Sequence, residues 1–156
     1  MRDSGDSVAL PFSHGCRMQE YRKLNVWKKA HQLAIDIRRG SREFPRTIYS
    51  SLRSQIARAA ESIVFNIAEG CGSTSQREFA RFLDISIKST VELEAQLELA
   101  KDYGALSVAT WTAISHDVVD VRRMLCGLRS KVLTSASATS NAPTLNAAPK
   151  VEPWSR

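Results

Sequence analysis

Residues 108–132 read VATWTAISHDVVDVRRMLCGLRSKV, and this stretch decides the fold class. Its apolar residues recur at alternating spacings of three and four: Trp111, Ile114, Val118, Val121, Leu125, Leu128 and Val132. Such alternation over three heptads places one apolar seam along a helix, as in helical bundles and coiled coils. We therefore predict a long helix here that packs against other helices.

Three upstream segments have the same helical periodicity. We predict helices over residues 26–42, 51–69 and 76–102. Asn25 is expected to cap the first helix, and Pro45 is expected to stop it. The second helix is apolar over much of its circumference, so we expect it to be buried on more than one face.

Local signals mark the other helix ends. Gly70 follows the second helix and is expected to take the positive φ of a C′ residue. Ser75 and Glu78 match a capping box at the start of the third helix, and Gly104 follows its end. Because the connections are short, we predict an all-α, antiparallel, up-down-up-down four-helix bundle over residues 24–133.

The two flanks lack this periodicity. Residues 1–23 are predicted to be an irregular N-terminal segment. Residues 134–156 are rich in Ala, Ser, Thr, Asn and Pro, and they cannot bury enough apolar surface to offset their ordering entropy. We therefore predict a disordered tail over that range.

The composition of the 156 residues excludes several classes of protein. Hydrophobic residues make up 43% and charged residues 24%, as in an ordinary globular protein. No apolar run approaches the roughly 20 residues that a membrane span needs, and the first residues lack the apolar core of a secretory signal. The cysteines Cys16, Cys71 and Cys126 form no C-x-x-C pair. We expect a cytoplasmic protein with reduced thiols and no membrane partner.

The net charge of +6 is unevenly distributed along the chain. Residues 25–58 hold eight basic and two acidic residues, residues 61–120 hold four and ten, and residues 122–131 hold four and none. A surplus of cations can neutralise nucleic-acid phosphates, but it is also typical of a solvated face that aids solubility. The candidate phosphate contacts are Lys28, Arg38, Arg39, Arg42, Arg122, Arg123 and Arg129.

A polar stripe interrupts the apolar second helix. Ser62, Asn66 and Glu69 are spaced by four and three, so they share one helix face. Buried polar groups must find partners or cost roughly 1–3 kcal/mol each. We expect a structural polar network that fixes helix register, with a ligand site as the alternative. Its predicted members are Gln55, Arg58, Ser62, Asn66, Glu69 and Glu92.

No catalytic arrangement is recognisable. Glu92 and Glu94 lie two positions apart and point away from each other on a helix, and Asp117 and Asp120 stand next to arginines. There is no H-E-x-x-H, no P-loop and no nucleophile elbow. We predict a protein that is not an enzyme and that uses no metal or cofactor, with an active site at Asn66 and Glu69 as a remote alternative.

Several motifs resemble one bacterial family. They are YRKLNVWKKA at residues 21–30, Ser62-Ile63 followed by NIAEG at 66–70, and ELE at 92–94. Together they resemble the four-helix bundle family labelled the 23S rRNA intervening-sequence protein or S23 ribosomal protein. That family is related to the accessory variability determinant of diversity-generating retroelements. The resemblance covers about residues 20–133, and Ala57 departs from a common Arg-Arg pair.

The resemblance implies a homopentameric barrel of small all-α protomers. It also implies that members associated with retroelements bind nucleic acid and a partner reverse transcriptase through a basic outer surface, while no biochemical activity is established for most members. We therefore expect a non-enzymatic homo-oligomer that binds RNA or DNA non-specifically through phosphates. The alternative is a scaffold protein that mediates self-assembly and protein–protein interaction with no nucleic-acid role.

Overall fold

The part of the chain that the structure describes forms four α-helices. The computed structural model describes residues 20–40, 44 and 49–140. After a short 3₁₀ helix at Tyr21–Lys23, the helices are α1 (Asn25–Gly40), α2 (Ser50–Cys71), α3 (Gln76–Asp102) and α4 (Val108–Ser140). No strand occurs among the described residues, so that part of the chain is all-α, as predicted.

Each helix runs antiparallel to the next. Gly70, near the end of α2, faces Phe79 near the start of α3. Ser62, earlier on α2, lies 3.0 Å from Ser89, later on α3. The ion pairs between α3 and α4 follow the same antiparallel order. Because α1 packs on both α2 and α4, the helices close into an up-down-up-down bundle.

The core consists of the seams that the periodicity predicts. On α4, Ile114, Val118, Val121, Leu125 and Val132 are buried, while Trp111 and Leu128 are half-buried. The large apolar side chains of the other helices that are fully buried are Ile37, Ile56, Ile63, Ile67, Leu83, Leu93 and Leu97. On α2, Val64 is buried as expected, but Phe65 is 58% exposed. The buried surface of α2 therefore does not include the face that carries Phe65.

Two predicted helix ends are wrong. Asn25 is the first residue of α1 rather than its cap, because the carbonyl of Leu24 accepts the hydrogen bond from Lys28 N. Gly70 lies inside α2, and Gly72 is the C-cap with a φ of −85°. A Cβ on Gly70 would lie 2.7 Å from Phe79 Cδ2, so this glycine allows α3 to approach closely.

The predicted signals around α3 are confirmed in large part. Ser75 Oγ accepts a hydrogen bond from Glu78 N at 3.2 Å. The Glu78 carboxylate accepts from Thr74 N instead of the cap residue, so the reciprocal half of the box is shifted by one residue. Gly104 has a φ of +68° after α3, as a C-terminal glycine requires.

Both predicted flanks contain more helix than expected. Residues 21–23 form the 3₁₀ helix, and α4 continues to residue 140 instead of giving way to a disordered tail at 134. Hydroxyls in this last part donate to carbonyls four residues earlier, as Thr134 does to Ser130 O at 3.0 Å. The remaining flank predictions, over residues 1–19 and 141–156, and the stop at Pro45 lie outside the described residues. No described helix combines the length and the apolar character that crossing a bilayer requires.

Candidate nucleic-acid interface

Two of the predicted phosphate contacts on α4 are engaged by α3. Arg122 pairs with Glu94, and both side chains are only 31% exposed. The Nε atom of Arg129 lies 2.5 Å from Asp84 Oδ1. These two arginines bridge neighbouring helices within the protomer. We name this pair of ion pairs the α3–α4 clamp.

Three other predicted arginines keep most of their surface in solvent. Arg38 and Arg39 are each 71% exposed, and Arg123 is 77% exposed. The carboxylates of Glu61, Asp36 and Asp120 lie 3.9, 3.7 and 3.9 Å from Arg38, Arg39 and Arg123. Exposed pairs at such distances contribute roughly 0–1 kcal/mol. Because most of each side chain is exposed, an incoming anion can reach all three guanidinium groups.

Lys28 and Arg42 complete the predicted set. Lys28 is exposed on the first turn of α1, about 15 Å along the helix axis from Arg38 at 1.5 Å per residue. Arg42 lies outside the described residues. The structure thus divides the predicted set into the clamp, the end of α1 and scattered single cations.

A groove between α1 and α2 brings arginines together that the sequence analysis did not group. It has a volume of about 400 Å³. We name it the arginine groove, and it is lined by Arg38, Ser50, Arg53, Ser54, Ala57, Arg58 and Glu61. Sequence analysis missed Arg53 and assigned Arg58 to a structural network. The spacing of 50, 54, 57, 58 and 61 on one helix face was the available signal.

The predicted polar network is smaller than expected. Asn66 Nδ2 donates to Ser62 O at 2.8 Å and to Ser62 Oγ at 3.2 Å. Ser62 Oγ shares a hydrogen bond with Ser89 Oγ at 3.0 Å, and Ser86 Oγ donates to Ile63 O at 3.3 Å. These bonds join α2 to α3, and the sequence analysis did not identify the two serines of α3.

The other predicted members of the polar network lie outside the hydrogen bonds that join α2 to α3. Gln55, Arg58 and Glu92 line a groove of about 280 Å³ beside Ser62. Among the described residues no hydrogen bond joins these three, and Glu92 instead accepts from Gln96. Glu69 is exposed on α2. Because water reaches these groups, they do not need the partners that a buried network would supply.

An acidic cluster on α4 is also engaged. Potential metal-ligating atoms of His116, Asp117 and Asp120 lie within 4.8 Å of one another. Lys29 Nζ on α1 lies 3.0 Å from Asp117 Oδ1 and 3.2 Å from Asp120 Oδ2. These hydrogen bonds raise the pKa of Lys29. The cluster therefore joins α1 to α4 through an ammonium group.

An apolar groove adjoins the arginine groove. It has a volume of about 420 Å³ and contains Ala34, Ile35, Val64 and Phe65, with His31, Arg38, Arg39 and Glu61 at its rim. The exposure of Phe65 is unusual for a large apolar side chain and exceeds that of Val91 and Leu99 on α3, at 52% and 41%. We name this feature the Phe65 groove. It is a concave apolar surface open to solvent.

Comparison with known proteins shows the family. A crystal structure of a protein of unknown function from the S23 ribosomal protein family of Bacteroides thetaiotaomicron is similar to this chain, with a TM-score of 0.62 and 24% identity. The match covers 67% of this chain and 97% of that one, and it supports the fold. No curated protein matches. Residues 22–127 match the 23S rRNA-intervening sequence protein family, and the chain belongs to that family.

Proposed function

We propose that the protein is a non-enzymatic homo-oligomer that binds RNA or DNA non-specifically through phosphate contacts. The observation that carries this proposal is the group of exposed arginines where the end of α1 faces the first half of α2. Arg39 is 71% exposed there, and the carboxylate of Asp36 lies 3.7 Å from it. Arg38, Arg53 and Arg58 lie alongside. The family name refers to 23S rRNA, which is consistent with a nucleic-acid partner.

Recognition of bases plays little part in this proposal. The aromatic rings near α1 contact one another: Trp27 lies 4.9 Å from Tyr21 and 4.9 Å from His31, measured between ring centroids. Rings engaged in this way offer less surface on which bases can stack. Phosphate neutralisation by guanidinium groups supplies affinity without reading sequence. We therefore expect similar affinity for oligonucleotides of different sequence.

Filter binding at salt concentrations from 50 to 200 mM tests this proposal. Each phosphate contact contributes a slope of about −0.9 on duplex DNA to the dependence of log affinity on log salt. Replacing both Arg38 and Arg39 by Gln should make the slope shallower by about 1.8. The control replaces Arg77 and Arg81 on α3, which removes the same charge elsewhere and should change the slope by less than about 0.5. An affinity for nucleic acid that does not change with salt concentration, or no binding near 150 mM salt, would refute the proposal.

Self-association is the second part of the proposal. The Phe65 groove is apolar and bordered by Arg38 and Arg39, whereas Val91 and Leu99 are exposed on the acidic helix α3. A basic apolar groove and an acidic apolar stripe are complementary, and a head-to-tail contact between them can close a ring. The family resemblance favours five protomers.

Light scattering after size-exclusion chromatography tests this part. The wild type should elute at five times the protomer mass. Phe65→Ser should lower the mass to that of smaller species, because it places a hydroxyl where the contact is apolar. Val108→Ser, at a position 68% exposed at the start of α4, is the control and should keep the wild-type mass. A monomeric wild type at micromolar concentration would rule out self-association.

A scaffold role with a protein partner is the second candidate function. The α3–α4 clamp favours it, because Arg122 and Arg129 are engaged by carboxylates. In a retroelement the partner would be the reverse transcriptase. Replacing Arg53 and Arg58 by Glu separates the two roles, because these arginines line the arginine groove and not the Phe65 groove. Loss of nucleic-acid binding with assembly intact supports the leading proposal, and unchanged capture of that enzyme supports the scaffold.

A further inference from the structure

We propose that the arginine groove is a discrete site for a single phosphate group, and this rests on the proposed binding of nucleic acid. The ligand is a phosphate of the polynucleotide backbone or of its 5′ end. The site would fix one phosphate in a defined position, while the other exposed cations contribute diffuse attraction. Arg53 and Arg58 are its principal side chains.

The charge balance of the groove favours an anion. Of the described residues, three with a guanidinium group and one with a carboxylate line it, and that carboxylate, on Glu61, lies 3.9 Å from Arg38. Among the described residues no carboxylate lies within 4.0 Å of Arg53 or Arg58, in contrast to Arg122 in the clamp. Converging like charges repel one another in a concave site, and a bound anion removes that repulsion.

The chemistry of the lining fits phosphate in particular. A guanidinium group presents a planar fork of N–H donors that matches the oxygens of a phosphate. Ser50 and Ser54 add hydroxyl donors near the start of α2. Ala57 has a small side chain that is only 8% exposed, so it leaves room in the groove beside Arg53. The groove therefore combines charge, donors and space.

The start of α2 adds backbone donors to the same place. Arg53 N makes the first helical hydrogen bond, to Tyr49 O at 3.0 Å. The Tyr49 side chain does not cap the helix, since it lacks the short polar group that capping requires, and its hydroxyl donates to Tyr103 O at 3.0 Å. The first amides of α2 therefore have no side-chain cap from Tyr49 and carry the positive end of the helix dipole. They supplement the arginines, whose convergence carries the proposal.

Titration of the full-length protein with inorganic phosphate tests this site. Calorimetry is run at constant ionic strength, with chloride as the background anion. The variant carries Arg53→Gln and Arg58→Gln, and the control carries Arg77→Gln and Arg81→Gln on α3. We expect the groove variant to weaken phosphate binding at least tenfold and the control to change it by less than twofold. Circular dichroism spectra verify that both variants are folded.

Two oligonucleotide arms distinguish the source of the phosphate. An oligonucleotide with a 5′ phosphate competes with inorganic phosphate more strongly than its dephosphorylated form if the site takes a chain end. Equal competition by the two forms supports a backbone phosphate. Wild-type protein that binds no phosphate beyond the chloride background would overturn the proposal. So would a groove variant that loses assembly while keeping wild-type phosphate affinity.

Failure of the site and failure of the proposed function give different results. If phosphate binds in the groove but no oligonucleotide binds at any salt concentration, the site stands and the function falls. If oligonucleotides bind with the expected salt slope and the groove variant changes neither that slope nor phosphate binding, the function stands and the site falls.

Discussion

The two sides of the bundle use arginine in opposite ways. Between α3 and α4, Arg122 and Arg129 each meet a carboxylate on the facing helix. Between α1 and α2, Arg53 and Arg58 share a groove in which the one carboxylate among the described lining residues lies beside Arg38. The difference arises from the facing helix, since α3 holds six acidic and four basic residues, whereas α1 holds one acidic and four basic residues. Charge density along a sequence therefore does not identify the free cations.

The side formed by α2, α3 and α4 is also more tightly packed than the side formed by α1 and α2. The side formed by α2, α3 and α4 encloses Leu83, Leu93 and Leu97 with 0–1% exposure. The side formed by α1 and α2 leaves Phe65 in an open groove. A side chain enclosed on all sides contributes to stability, whereas an exposed one is available to a partner. The closed side should therefore hold the fold, and the open side should carry the function.

The largest expected effect comes from removing core volume on the closed side. Leu93→Ala should lower the free energy of unfolding by about 2–5 kcal/mol, because the leucine is fully buried and its removal leaves a cavity. The matched control is Val108→Ala, at a side chain that is 68% exposed, with an expected change below about 0.5 kcal/mol. Urea unfolding measures both. Equal losses for the two variants would remove the distinction between the sides.

A second test uses two glycines in helices. Gly70→Ala should destabilise the protein by about 1–3 kcal/mol, because the new methyl group would lie 2.7 Å from Phe79 Cδ2. Gly127→Ala on α4 meets nothing within 4 Å and should stabilise by about 0.5–1 kcal/mol through helix propensity. Thermal unfolding compares the two variants. A stabilising Gly70→Ala would show that α2 and α3 are not in close contact there.

The sequence predicts the helices well because their periodicity reflects one-sided burial. The α4 seam and the Ser75 cap follow from local spacing alone, and both are confirmed. The prediction that Gly70 ends α2 was wrong because the glycine serves a contact with another helix. A small residue is needed there so that Phe79 of α3 can pack against α2. The extension of α4 to residue 140 was missed because Ser and Thr have lower helix propensity than Ala or Leu, and local propensity does not show that Thr134 donates back to Ser130 O within the helix.

The candidate site was less predictable, since an ion pair depends on the register of two helices. Nothing local to Arg122 shows that Glu94 faces it, because the two residues are 28 positions apart. The same holds for Lys29 with Asp117 and Asp120. The grouping of Arg38 with Arg53 and Arg58 likewise requires the α1–α2 contact. Sequence analysis finds which faces are charged, and the fold decides which charges are neutralised.

A third test measures the α3–α4 clamp directly. A double-mutant cycle of Arg122→Met and Glu94→Gln should give a coupling energy of about 0.5–1 kcal/mol, because both side chains are only 31% exposed. The same cycle on Arg38 and Glu61, which are 71% and 42% exposed at 3.9 Å, should give less than about 0.3 kcal/mol. Neither Arg122→Met nor Glu94→Gln should change the salt slope for nucleic acid. A slope that falls with Arg122→Met would place phosphate contacts on the closed side.

The last test compares the chemical reactivity of two thiols. Burial raises the pKa of the Cys71 thiol to about 11, whereas Cys126 is exposed on α4. In a Cys16→Ser background, iodoacetamide at pH 8 should therefore alkylate Cys126 and spare Cys71, because the thiolate is the reactive form. The unfolded chain releases the Cys71 proton first, near pH 8.5. Stability should therefore fall as the pH rises from about 8.5 to about 11.

Quantitative mass spectrometry of the two peptides follows this reaction. Leu93→Ala, which loosens the closed side, should raise the alkylation rate of Cys71 and leave that of Cys126 unchanged, because local opening supplies the accessible thiol. Phe65→Ser should leave both rates unchanged, since the open side does not protect Cys71. Equal reactivity of the two thiols in the native wild type would show that the end of α2 is not enclosed. The assignment of the main stabilising contacts to the closed side would then be wrong.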